Sequence, residues 1–352
     1  MKKLKDLKLK IVEKFKYFAP ISLAILLVGL ILMLIPGVGM NVGIDFAGGA
    51  KVNVDFGEYL SNNPNLKTEL IDEVSSVITG EGFSIGSTRW SGDSNTILEV
   101  GLEYEVGGKK VSSKSEDEQR AFLEKIEGTE ENSYEDGLVY KIRQAVETYN
   151  AEFEGVEVSA NIVNGSTSKK LLSNAIWATA VAVVIMLIYI GFRFTLTSGI
   201  AAVIALLHDV LVMIALTTIF QIQVNTTFIA AVITIVGYSI NATIVIFDRI
   251  REVSKLDSMK DLSDSDIANK SIADTLGRSI LTTLTTLAVI VVLAVVCAVM
   301  GITTMEEFAL PIIFGLLAGT YSSVFLSASI WVYLRKLASK IKESAKKAKS
   351  AN

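Results

Sequence analysis

One cysteine and one histidine in 352 residues remove whole classes of chemistry. Cys297 has no second cysteine to join and lies inside an apolar run, so no internal disulfide braces an exported domain and no cysteine cluster holds a metal. His208, standing alone, excludes most histidine-built metal sites and two-histidine catalysis. A phosphate-binding loop is missing too. No Gly-x-x-x-x-Gly-Lys-Ser/Thr occurs, so neither an ATP site nor any other cofactor is expected, and work must come from an ion gradient or a partner. The formal charge of −4 gives no global basic field, which argues against a nucleic-acid partner. The chain does not read as an enzyme.

What it has is apolar length. Hydrophobic residues make up 51% and charged residues 20%, which is too oily for a soluble chain of this size. The first apolar run, 18–37, follows Lys2, Lys3, Lys5, Lys8, Lys10, Lys14 and Lys16; Pro36-Gly37-Val38-Gly39 lacks a small-residue cleavage pattern, so an uncleaved anchor is expected. Five further runs at 175–190, 198–220, 226–247, 279–300 and 308–334 fill a domain over 173–334. Each approaches the ~20 residues that cross a bilayer. The connection 248–278 carries Arg249, Arg251, Lys255, Lys260, Lys270 and Arg278, and the tail 335–352 carries seven more lysines and arginines. Six spans put that loop, the basic N-terminus 1–17 and the tail on one side, and the positive-inside rule makes that side cytoplasmic. A multi-pass protein of the cell membrane is expected, with segment 38–172 outside. Within it, from 41 to 170, acids outnumber bases 24 to 12, as suits a water-facing domain.

That segment alternates as a strand over 51–56, takes helical spacing over 65–78, and reads as strands over 83–90 and 96–102. Residues 116–149 are mainly helical, interrupted near Gly128 and Asn132, and 156–163 close as a strand. Tyr104 to Lys114, with Gly107-Gly108, reads as an inserted hairpin tip. The order βαββαβ predicts a ferredoxin-like sheet with two helices on one face. The expected fold is therefore a polytopic α-helical membrane protein of one plus five transmembrane helices, with an α+β ferredoxin-like extracytoplasmic domain between the first two.

Four stretches carry a family likeness: Gly43-Ile-Asp-Phe-Ala-Gly-Gly49; Arg193-Phe194 leading to Ala205-Leu-Leu-His-Asp-Val-Leu211; Gly237-Tyr-Ser-Ile-Asn-Ala-Thr-Ile-Val-Ile-Phe-Asp-Arg-Ile-Arg-Glu252; and Gly277-Arg-Ser-Ile-Leu-Thr-Thr-Leu-Thr-Thr286. Together with the one-plus-five layout, they resemble the SecF branch of the SecD/SecF protein-export membrane proteins, within the resistance-nodulation-division superfamily. The motif residues are Gly43, Asp45, Phe46, Gly48, Gly49, Gly237, Asp248 and Arg249. The resemblance implies an auxiliary subunit, set in membrane lipid, that pairs with SecD, associates with the SecYEG channel and uses the proton motive force to draw a translocating preprotein outward. It also implies two six-span halves around a pseudo-twofold axis, of which this chain supplies one; with no second set of six spans, the fused form is not expected. The other readings are a small-molecule or lipid transporter half, and a structural subunit without its own proton path. One position departs from the pattern: where the family carries a carboxylate in Gly-Tyr-Ser-Ile-Asn-Asp-Thr, here stands Ala242.

The candidate polar residues of the spans are His208, Asp209, Asn241, Thr243 and Arg278. A charge at mid-span costs roughly 3 kcal/mol or more, so His208-Asp209 marks either a proton path or latch or a structural pair. Histidine is the side-chain type that exchanges protons near neutral pH. Ser279, Thr282, Thr283 and Thr286 share a helix face beyond Arg278, fit for a wet path or for helix packing. Arg278 is an interfacial anchor or, by the resemblance, part of the ion path. Asn241 and Thr243 offer hydrogen bonds without charge near the cytoplasmic end of the fourth span. Asp248-Arg249 and Arg251-Glu252 read as solvated, weakly paired charges. Gly43, Gly48 and Gly49 suit a tight turn, and Gly315-Leu-Leu-Ala-Gly319 a close-packing face.

Overall fold

Apolar runs of this length satisfy their backbone groups in a bilayer only as helices. The computed structural model describes residues 10–35, 39–92, 95–106, 109–110, 116–130, 134–153, 156–163, 165–256, 262–300 and 302–350. Among them are six helical segments long and apolar enough to cross a membrane. The first, α1 (Phe15–Leu34), leaves Ile21, Leu23, Leu30 and Ile31 exposed, as lipid requires.

A short helix, α2 (Ile44–Ala47), leads from it into the segment built of β1 (Gly49–Asp55), α3 (Gly57–Asn62), α4 (Lys67–Gly80), β2 (Phe83–Ser91), β3 (Ile97–Val106), β4 (Lys109–Lys110), α5 (Glu116–Glu127), α6 (Leu138–Tyr149) and β5 (Glu157–Val163). Every strand pairing is antiparallel, in the order β2-β3-β1-β5, with β4 hairpinned onto β3. Because side chains alternate across a strand, Ala50, Val52 and Val54 share one face with Leu98, Val100 and Leu102. That face packs on Leu70, Val74 and Ile78 of α4, Phe122 and Ile126 of α5, and Ile142 and Val146 of α6, all buried in one cluster. The opposite face is polar, with Lys51 and Glu99 on it.

Two sequence expectations gain a cause here. The helical stretch 116–149 breaks after Glu127 because Gly128 takes φ +91° and the chain at Gly137 folds back onto the Glu127–Gly128 backbone; Asn132 lies outside the described residues. The hairpin tip Gly107-Gly108 also lies outside them, while Val106 pairs with Lys109 across it.

The remaining spans are α7 (Gly165–Arg193), α8 (Leu196–Ile219), α9 (Thr226–Val253), α10 (Asp264–Val299) and α11 (Thr303–Tyr321), the last running through a π-helical turn, Ser322–Ser327, into α12 (Ala328–Ser350). The sixth predicted span is thus two α-helices joined by a widened turn. The segment 248–278, expected as a loop, is helical at both ends. Its helices start and stop on local chemistry: the Asn225 side chain accepts from Thr227 N and Phe228 N at the head of α9, and Ser263 accepts from Asp266 N at the head of α10, whose first turn carries Asp264 and Asp266.

Helices meet where a side chain is missing. Gly29 of α1 abuts Ala215 of α8, and Gly315 of α11 abuts Ile235 of α9 closely enough that an added methyl would overlap the isoleucine. Gly315–Gly319 is therefore the close-packing face that its spacing suggested. Gly237, on the outward side of α9, has nothing within 4 Å of such a methyl. Gly315→Ala should accordingly destabilise the purified full chain by about 1–3 kcal/mol through overpacking, and Gly237→Ala should leave its melting temperature in detergent unchanged. Equal melting temperatures for the two would contradict this packing.

Candidate functional site

Asp209 is fully buried in the middle of α8. Three groups hold its carboxylate: Oδ1 contacts His208 Nδ1 at 2.9 Å, and Oδ2 accepts from Ser322 Oγ at 2.8 Å and from Ser239 Oγ. The donors come from α9 and from the π-helical turn, so three elements converge on one carboxylate. Gly319 makes room, since a methyl there would lie 3.5 Å from Oδ2 and 3.3 Å from Ser239 Cβ. The Nδ1 edge of His208 thus faces the carboxylate, and Nε2 points away from it. Nε2 is buried with no partner among the described residues. The ring stacks on Tyr321, whose hydroxyl donates to the Phe18 carbonyl of α1 at 2.5 Å.

The π-helical turn is rich in buried hydroxyls: Ser322, Ser323 and Ser327 are fully buried. Ser323 and Ser327 bond back to the carbonyls of Gly319 and Ser323, and Thr243 approaches Ser323 at 3.3 Å. Widened turns of this kind occur often at functional sites. His208, Asp209 and Thr243 thus lie around one turn, whereas Asn241 and Arg278 are exposed on the outward faces of α9 and α10. Of the hydroxyl face beyond Arg278, only Ser279 and Thr283 point inward; Thr282 and Thr286 bond to their own helix.

A second polar cluster joins the sheet to the bundle. Arg89 of β2 contacts both Glu99 of β3 and the buried Glu307 of α11, and Asn225, the α9 cap, holds the other oxygen of Glu307. Lys51 reaches Glu99 at 2.7 Å. Beside it, residues 41–43 run along 222–224: Val224 N donates to Asn41 O at 2.7 Å and Gly43 N to Val224 O at 2.8 Å. Asp45 accepts from Thr226 N and Oγ1 at 3.0 and 2.7 Å, adding a second cap to α9. Gly48 (φ +78°) and Gly49 (φ +135°) make the turn into β1, and a side chain on Gly49 would strike the Leu102 carbonyl. Gly43 is extended instead; its value is closeness, with Val224 O 3.3 Å from where a Cβ would be.

At the far end of the bundle the charges are paired across helices while remaining partly exposed. Arg193 reaches Asp248 at 2.9 Å, and Arg249 clamps Asp274 through Nε and Nη2 at 3.0 and 2.6 Å and Glu252 at 2.8 Å. These pairs tie α7 to α9 and α9 to α10.

Residues 141–337 match the family model described as protein export membrane protein SecD/SecF, C-terminal, and the chain is 31% identical over 300 residues to protein translocase subunit SecF of Sebaldella termitidis, covering 85% of this chain and 83% of that one. The chain belongs to the SecD/SecF family. Protein translocase subunit SecDF of Bacillus subtilis is 31% identical over 326 residues, which take in 91% of this chain but 37% of that longer one. Among solved structures, SecDF from Thermus thermophilus, described as a translocon-associated membrane protein, matches 94% of this chain and 39% of its own at 25% identity and a TM-score of 0.67. A second SecDF, in a super-membrane-facing form, matches at 26% identity and a TM-score of 0.59.

In this SecD/SecF chain, the joint cluster has no counterpart among the residues singled out from sequence. Arg89 and Glu99 sit on alternating strand positions, as any surface pair does, and only the register Arg89↔Glu99 brings them together. Glu307 stands beside Glu306 at the head of an apolar run, a weak signal of a buried acid. Burial opposes the charge on Arg89, but the Glu307 and Glu99 carboxylates outweigh it and hold the guanidinium above its ordinary pKa. Burial likewise favours neutral Glu99, yet the hydrogen bonds from Lys51 and Arg89 outweigh that and hold its carboxyl below the usual range. A depressed carboxyl stabilises the fold above its unfolded pKa of about 4.3 and loses that contribution as pH falls through the lower folded value. Thermal melts of the full chain should therefore drop more steeply below about pH 4 for the wild type than for Glu99→Gln. Parallel curves would remove Glu99 from the acid response.

Proposed function

We propose that this chain is the SecF-type auxiliary subunit of a Sec translocase: it pairs with SecD, associates with SecYEG, and uses the proton motive force to help draw a preprotein outward. The observation that carries the ion-coupling part is Asp209, a buried carboxylate held by donors from two neighbouring elements beside a histidine nitrogen with no partner among the described residues. A gradient drives motion only through two states that bind the proton differently. Protonation of Asp209 removes its charge and turns one accepting oxygen into a donor, so the bonds from Ser239 and Ser322 weaken or reverse and the packing of the π-helical turn against α8 and α9 is biased. Through α11, that turn is continuous with Glu307 and the sheet. Transport, not catalysis, is the role this supports.

The sheet is read as ferredoxin-like: four antiparallel strands in the order β2-β3-β1-β5, with α4 and α6 packed on one face, support that topology. Its placement outside the cell, with both termini and 248–278 in the cytoplasm, rests on the basic residues at 1–17, around 249–278 and in 335–352. The site for SecD is assigned to the outward face of α9 and α10, where Thr234, Gly237, Asn241, Arg278 and Thr285 are exposed. An asparagine and an arginine facing hydrocarbon are costly, and small residues with an open glycine favour a second helix at close range.

Two measurements bear on these readings. In vesicles reconstituted with SecYEG and SecD, Asp209→Asn should keep SecD bound yet lose most of the stimulation of export by the proton gradient, while Gly237→Leu should lose SecD in pulldown at an unchanged melting temperature. Wild-type gradient response in Asp209→Asn would leave the chain a structural subunit, and retention of SecD by Gly237→Leu would move the partner face elsewhere. Independently, a cysteine at the exposed Ser76 of α4, in a Cys297→Ala background, should react with an impermeant maleimide in intact cells. Labelling of Ser339→Cys instead would invert the topology.

A further inference from the structure

At the end of the bundle where α7 turns into α8, the last turns of α9 and the start of α12 complete a groove of ≈ 900 Å³. Six cations line it: Arg193, Arg251, Lys255, Arg335, Lys336 and Lys342, against one carboxylate, Asp264. Two of them are already compensated, Arg335 by Asp264 at 3.3 Å and Arg193 by Asp248 at 2.9 Å. Arg251, Lys255, Lys336 and Lys342 make no ion pair among the described residues. Beneath them the wall is apolar, formed by Phe247, Ile250 and Trp331, and Phe192 stands 91% exposed at the rim.

Four cations with no ion pair among the described residues repel each other around one concavity, and an anion seated among them relieves that repulsion. The setting selects the kind of anion. Aromatic side chains gather at headgroup depth, and basic pockets between spans at that depth suit phosphate headgroups. We propose that this groove binds the headgroup of an anionic glycerophospholipid. Its phosphate lies among Arg251, Lys255, Lys336 and Lys342, and its acyl chains leave past Phe192 along the exposed side of α7, where Ile185 and Ile188 face outward. A headgroup with two phosphates matches four cations better than a headgroup with one. The site serves to fix the α7–α8 turn and α12 to the bilayer, and it stands whether or not Asp209 carries protons.

The test is lipid binding to the purified full chain, read by native mass spectrometry with phosphatidylcholine, phosphatidylglycerol and diphosphatidylglycerol. The expected order of affinity rises along that series, by about 25-fold from first to last, which is two cations' share at roughly fivefold each. The triple variant Arg251→Gln, Lys336→Gln, Lys342→Gln should lose about fivefold per cation removed. The control triple Lys10→Gln, Lys14→Gln, Lys16→Gln, with the same loss of charge outside the groove, should bind as the wild type does. Equal losses in the two triples would mean a diffuse surface charge and overturn the site, as would equal binding of phosphatidylcholine. Displacement of the lipid by millimolar inorganic phosphate or glycerol phosphate would assign the groove to a soluble phosphate, and displacement by an acidic peptide would assign it to a protein; either result overturns the proposal.

Discussion

A carboxylate inside a helix bundle must be supplied with donors, and the supply at Asp209 organises the centre of this protein. Removed from water without partners, such a group is too costly to keep. Ser239 and Ser322 meet that need only because α9 and the sixth span approach α8 at once, with Gly319 at the contact, where a methyl would crowd Ser239 Cβ at 3.3 Å. The widened turn Ser322–Ser327 follows from the same demand. A regular helix advances 100° per residue, and a π-helical turn shifts the register so that Ser322 meets Asp209 while Ser323 meets Thr243. His208 completes the set from the neighbouring position on α8, and its stacking on Tyr321 draws in α1 through the Phe18 carbonyl.

The second polar cluster matters because of what connects it to the first. α11 carries Glu307 near its start and reaches Gly319 and Ser322 at its end, so one helix of 19 residues, about 28 Å long, touches both. At the Glu307 end, the contacts are charged and hold Arg89 of the sheet and Asn225 of α9. The two clusters are therefore joined by one continuous helix rather than by a loop. Pro311 lies within that helix and removes one backbone donor, which gives it a place to bend. The resulting arrangement has two polar ends and a single compliant point between them.

Much of the architecture was legible because periodicity is local. Alternation at 51–56 and helical spacing at 65–78 report which face is buried, and the sheet and α4 obey them with shifts of about two residues. His208 and Asp209 stood out because charge within an apolar run is rare. The partners of Asp209 did not, since Ser239 and Ser322 are ordinary residues in apolar helices until three-dimensional proximity selects them. The same holds for Arg89 and Glu307, 218 positions apart. The widened turn was hidden as well: Ser322, Ser323 and Ser327 fit an α-helical span by composition, and hydroxyls that bond back to their own helix leave no sequence signature. Asp248 and Arg249 are partly solvated, as expected, but the partners they take, Arg193 and Asp274, come from other helices and could not be named from sequence.

Ala242 now has a physical setting. On α9 the inward side carries Ser239, Thr243 and Ile246, and the outward side carries Gly237 and Asn241, with Ala242 half-buried between them. A carboxylate at 242 would lie on the flank of α9, between the donors that hold Asp209 and the outward face. With a methyl there, this chain offers the proposed partner face an amide at Asn241 and a cation at Arg278, but no acid. A guanidinium in a helix interface requires a counter-charge, so on the proposed pairing the acid must belong to SecD. The chain's own carboxylate, Asp209, lies on the other side of α9 and answers to Ser239 and Ser322. The two polar sites are thus separated by one helix, and α9 presents a face to each.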